Sequence, residues 1–60
     1  MKAQKLLEKI TENGVLVSPK DVSLLLEIAT LEAINDINLN NKINEFKSRF
    51  VISELDWPRL

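Results

Sequence analysis

Residues 22–34 read VSLLLEIATLEAI, and how that stretch divides its apolar side chains decides the fold. Stepped at 100° per residue it is helical, yet its apolar positions fall on two arcs. Val22, Leu25, Leu26, Ala29, Ala33 and Ile37 lie within roughly 120°, an ordinary core stripe. The two alanines in it let a neighbouring helix approach closely. Leu24, Ile28, Leu31 and Leu39 lie nearly opposite. Ser23, Glu27, Thr30 and Asn38 form one polar wedge between the arcs, interrupted by Ile34; Glu32 and Asp36 form the other.

The second arc has a register. Leu24, Ile28, Leu31 and Asn35 are spaced four, three, four, as at the seam of a coiled coil. Asn35 stands where a single buried asparagine sets register and partner number at some cost in stability. A sixty-residue chain has one interior to offer. The preceding helix spans about three turns and covers only part of an arc five turns long. A second copy is the simplest cover, because soluble oligomers are mostly symmetric. The expectation is therefore a homodimer through Leu24, Ile28, Leu31 and Asn35. The competing reading is a three-helix monomer with Asn35 in water.

Working outward, KAQKLLEKITEN predicts a helix over 2–13 with Ala3, Leu6, Leu7 and Ile10 on one face. Asn13-Gly14 supplies its C-terminal cap, glycine taking the left-handed position. Val15-Leu16-Val17 is a short connector. Ser18-Pro19 then opens the middle helix: the serine oxygen accepts a free amide, proline's φ suits the first turn, and Asp21 suits the positive end of the dipole. That helix is expected over 19–38. Asn40-Asn41 reads as a break, because asparagine prefers caps and turns. A third helix over 41–54 carries Ile43, Phe46 and Phe50. One continuous helix from 19 to about 54 is the alternative. Pro58 keeps Trp57 out of α conformation, leaving residues 55–60 as a non-helical tail. The fold class expected is all-α, a single three-helix domain over 1–60.

Composition narrows function by exclusion. The chain has no cysteine and no histidine, and a net charge of −1. Disulfides, thiolate metal sites and the commonest general base are absent. Glu8 with Glu12, and Glu32 with Asp36, lie one turn apart on exposed faces and read as solvated pairs rather than cation sites. Neither enzymatic activity nor a cofactor is expected, since so small a core has little room for a pocket. No apolar run approaches the roughly 18 residues of a membrane span, and the N-terminal residues lack the apolar core of a signal peptide. A cytoplasmic protein is expected. The abundance of Asn, Ile and Lys matches AT-rich coding sequence, common in phages and mobile elements.

What remains is binding. The expected role is a small dimeric regulator or inhibitor acting on a larger protein target. Lys42, Lys47, Arg49, Trp57 and Arg59 are its candidate contacts, tryptophan and arginine being enriched at binding hot spots. Trp57 has a second reading, as the residue that closes the core. A DNA-binding alternative uses Asn41, Lys42, Asn44, Lys47, Ser48 and Arg49 on the third helix to read base edges. The domain is not basic, which disfavours it. A structural or assembly subunit is the third reading.

Overall fold

The computed structural model describes all sixty residues, 1–60. It is all-helical, with α1 (Lys2–Glu12), α2 (Pro19–Ala33), α3 (Leu39–Lys47) and a short 3-10 turn at Glu54–Asp56.

Both long helices stop by the same backbone device. At the end of α1, Gly14 adopts φ +75°. The Gly14 amide donates to Thr11 O at 3.0 Å, and the Val15 amide to Ile10 O at 3.0 Å. This is the paired hydrogen-bond pattern of a Schellman motif, which satisfies carbonyls the helix leaves free. At the end of α2, Asn35 takes glycine's place with φ 54°. Its amide donates to Glu32 O at 3.2 Å, and the Asp36 amide to Leu31 O at 2.9 Å. Asparagine is among the few other residues that tolerate this conformation. The middle helix therefore ends at Ala33, not near 38, and Asn35 is what ends it.

The start of α2 is as the residues predict. Ser18 Oγ accepts from the Asp21 amide at 3.2 Å, and the Ser18 amide donates to Asp21 Oδ2 at 3.1 Å. Each residue caps the other, a reciprocal capping box. Asp21 also accepts from Arg49 Nε at 2.7 Å. That ion pair ties the first turn of α2 to the end of α3, and Asp21 is buried there. Burial, the largest single influence on this carboxyl, pushes its pKa up. The hydrogen bonds from Ser18 and the charge and hydrogen bond of Arg49 together outweigh it and hold the pKa below the ordinary aspartate value.

The third helix corrects the expectation at both ends. It begins at Leu39, where Asp36 Oδ1 accepts the Asn38 amide at 2.8 Å. It stops at Lys47, with the Arg49 and Phe50 amides turning back to Phe46 and Lys47 carbonyls at 3.1 Å. A helix continued to 54 would carry that residue roughly 12 Å along the axis from Phe46, and Trp57 with it away from Phe46. Instead the chain bends back. Phe46 packs tilted on Phe50 at 4.9 Å, and Trp57 sits edge-on to both at 6.5 Å. Such clusters gain more than their area alone.

The core draws on every segment. Ala3, Leu6 and Ile10 come from α1, Leu24, Leu25 and Ile28 from α2, Ile43 and Phe46 from α3, and Trp57 from the tail. α2 packs against both other helices. The two neighbours sit on adjacent flanks of it, so the sector it buries is contiguous. At 100° per residue, Leu24, Ile28 and Leu25 span about 100°. That sector takes one edge from each arc and leaves Val22 and Leu26 outside.

Candidate functional site

The four-three-four seam read from the sequence is not a free surface. Leu24 is 9% exposed and Ile28 is 0% exposed, both inside the chain's own core. Leu31 is half-buried and lines a groove between α2 and α3. Asn35 is exposed but lies outside the helix, in the left-handed turn that follows it. Leu24, Ile28, Leu31 and Asn35 therefore do not form one strip open to a second chain. α3 packs on that side, and the helix stops before Asn35 can take a seam position.

The candidate contacts on α3 and the tail are largely committed within the fold. Lys42 Nζ lies 3.2 Å from Glu27 Oε2 and 3.5 Å from Glu45 Oε1. The hydrogen bond and charge of Glu27, then the charge of Glu45, hold its ammonium above the ordinary lysine value. Arg49 is paired with buried Asp21. Lys47 Nζ stands 5.8 Å above the Trp57 ring, a cation–π contact. Trp57 itself is 7% exposed. Arg59 remains at the surface, beside Lys5, Lys9, Glu8 and Glu12 of α1. The arrangement that DNA reading needs, free cations along α3, is thus mostly consumed by intramolecular partners. Trp57→Ala is expected to cost about 3 kcal/mol, since truncating a buried aromatic forfeits its packing. In a domain this small that lowers Tm by roughly 12–24 °C, read by circular dichroism melting. An unchanged Tm would return Trp57 to the role of an external anchor.

The carboxylate pairs have local work. Glu32 accepts the Lys2 amide at 3.0 and 3.3 Å, capping the start of α1 from across the fold. Asp36 Oδ1 accepts the Asn38 amide in the turn before α3, and Glu8 Oε1 accepts from Gln4 at 3.3 Å. No three His, Cys, Asp or Glu side chains gather where they would hold a metal ion.

What the fold leaves open is elsewhere. A groove of about 310 Å³ runs between α1 and α2. Met1, Gln4 and Leu7 form one wall, and Val22, Leu26 and Ala29 the other, with buried Ala3 and Leu25 completing it. None of their side chains is charged. Leu7 is 37%, Val22 45% and Leu26 65% exposed, and these are all the large apolar side chains that the α-helices present to solvent. The remaining exposed ones lie in the connector, the α2–α3 turn, the tail or the N-terminal cap. A wider groove between α2 and α3 shares Leu26, but Glu27, Lys42 and Glu45 rim it and neutralise one another. The sequence carried a signal for the first groove. Val22, Leu26, Ala29 and Ala33 are also spaced four, three, four, so both arcs of α2 have seam spacing and only packing separates them.

Compared with known proteins, the sequence matches no family model, and no curated protein or solved structure matches it. No helix is long and apolar enough to cross a membrane.

Proposed function

We propose that this chain is a small, non-enzymatic protein-interaction module, and that its contact surface is the groove between α1 and α2, whose side chains carry no charge. One observation carries the reading: every large apolar side chain exposed on an α-helix converges on that groove. Scattered exposed leucines are normal on any protein, but a contiguous apolar patch marks an interaction site. The occupant that fits is the apolar stripe of a helix. Two helical walls leave a trough whose anchors repeat at three and four residues, the spacing by which helices dock into grooves. In this role the domain regulates or inhibits by occupying a helical surface, and the committed charges of α3 serve its stability.

A photo-reactive phenylalanine analogue placed at position 26 of the full chain, in cells producing it, tests the surface. The expected result is an adduct of one defined mass that drops at least tenfold when Leu7→Glu puts a charge in the opposite wall. A tenfold loss corresponds to about 1.4 kcal/mol of binding. Leu7 is partly exposed, so the charge is tolerated by the fold. If position 26 gives no adduct, or gives the same adducts as fully exposed Val51 with or without Leu7→Glu, the groove is not the contact surface.

A further inference from the structure

We propose that the C-terminal tail, residues 51–60, is a strap that lifts off the three helices as one unit while they stay folded, with the Trp57 ring as its pin and Lys47 as its clasp. The proposal is independent of the groove between α1 and α2, which no tail residue lines.

Every polar link between distant segments joins residues within 2–49. The Lys2 amide donates to Glu32, Lys42 pairs with Glu27, and Arg49 pairs with Asp21. The Arg49–Asp21 pair fastens the end of α3, and the Phe50 amide still donates to Lys47 O. Beyond Phe50 no hydrogen bond leaves the tail. The Asp56 amide donates to Ser53 O at 2.9 Å and the Leu55 amide to Ser53 Oγ at 3.3 Å, both within it. The 3-10 turn at Glu54–Asp56 brings its backbone close to none of the helices. Charge does not hold the tail either. Asp56 and Arg59 lie beside Lys5, Glu8, Lys9 and Glu12 of α1, yet no ion pair forms among the six; the chain's ion pairs are those of Lys42 and Arg49.

What remains is side-chain packing. Trp57 is buried edge-on to Phe46 and Phe50, and half-buried Ile52 packs beside the core. Lys47 Nζ lies over the Trp57 ring at 5.8 Å. Val51 and Leu55 are fully exposed. A segment with so few buried contacts and a solvated backbone opens by itself, at a lower free energy than the whole fold. The contacts of α2 with α1 and with α3 use no tail residue, and Phe46 and Phe50 keep each other when Trp57 leaves. The open state is therefore transient but helical. It bares the Phe46–Phe50 pair on the helices and sets Trp57 free on a tether, so the two readings of Trp57, core closure and exposed aromatic, belong to the two positions of the strap.

Fluorine and nitrogen exchange NMR on the intact chain, with 5-fluorotryptophan at position 57, tests this. Trp57 is the one tryptophan, so the label reports the pin alone. The expected result is a minor fluorine state on the order of 1%, at the shift the label takes in the urea-unfolded chain. The amides of Leu24, Leu25 and Ile28 should show no exchange with that population. Lys47→Gln, which removes the cation and keeps a good helix former, should raise the minor population about two- to fivefold. Three results would each overturn the strap: no minor state above about 0.1%, α2 amides exchanging into the same population because the tail leaves only when the whole fold opens, or an unchanged population in Lys47→Gln.

Discussion

Phe46→Ala is expected to unfold this domain at room temperature. Phe46 is 0% exposed and touches both other aromatic rings of the core. Truncating such a side chain costs about 3–5 kcal/mol, part lost transfer energy and part cavity. Phe50 and Trp57 cannot close the gap without moving the tail that carries Trp57, so the upper half of that range applies. Against it stands a total stability of about 3–9 kcal/mol at 0.05–0.15 per residue, and domains this small sit low in such ranges. Phe46→Leu, which refills most of the space, is expected to lose about 1.5 kcal/mol and keep a cooperative melt. Far-ultraviolet circular dichroism and urea titration of both variants check this. A Phe46→Ala protein melting within 5 °C of wild type would mean that the aromatic cluster is not what closes the core.

Asp21→Ala is expected to cost about 3 kcal/mol at neutral pH, as much as Trp57→Ala. It removes a capping box worth about 1 kcal/mol and charge-assisted hydrogen bonds worth about 1.5–3. It also strands Arg49, whose side chain is partly exposed and can turn to water, which keeps the loss from growing further. The corresponding fall in Tm is roughly 12–24 °C. The pH dependence has a definite sign. The folded pKa of Asp21 lies below its ordinary value of 3.8. Its contribution is therefore complete above that value and is lost as pH falls through the lower, folded one. Other carboxylates titrate in the same window, so the readout is the gap between wild type and Asp21→Ala in urea titrations. The gap should hold constant from pH 7 to about 5 and shrink below about 4. A gap that widened on acidification would contradict a depressed pKa.

How much of this was legible in advance differs from residue to residue. Ser18 and Pro19 marked the start of α2 to the residue, and Asn13-Gly14 the end of α1 within one. Ala3, Leu6 and Ile10 were readable as the buried face of α1. Leu7, placed on the same face, lies at its edge and borders the groove instead. Asn35 was ambiguous in principle. One side chain type serves both as a buried seam residue and as a left-handed cap, and the spacing of its neighbours supports either. The candidate contacts were ambiguous for a related reason. Lys42, Lys47, Arg49 and Trp57 have the chemistry of binding residues, and the fold uses that chemistry internally. No sequence signal tells an arginine that will meet Asp21, 28 positions away, from one that will meet a partner.

The sequence by itself determined an all-helical chain, the cap at Ser18, the turn at Gly14 and an apolar excess on α2 larger than one helix face requires. Those features depend on backbone hydrogen bonds and side chains within about one turn of each other, so a short stretch contains all their causes. Only the tertiary structure decided which part of α2 that excess leaves uncovered. Both arcs carry the same spacing, so burial is set by where α1 and α3 come to rest. That placement depends on the tail folding back through Trp57 and on Arg49 reaching Asp21. With α1 and α3 on adjacent flanks, Leu24, Leu25 and Ile28 go inside, and Val22, Leu26 and Ala29 line the open groove.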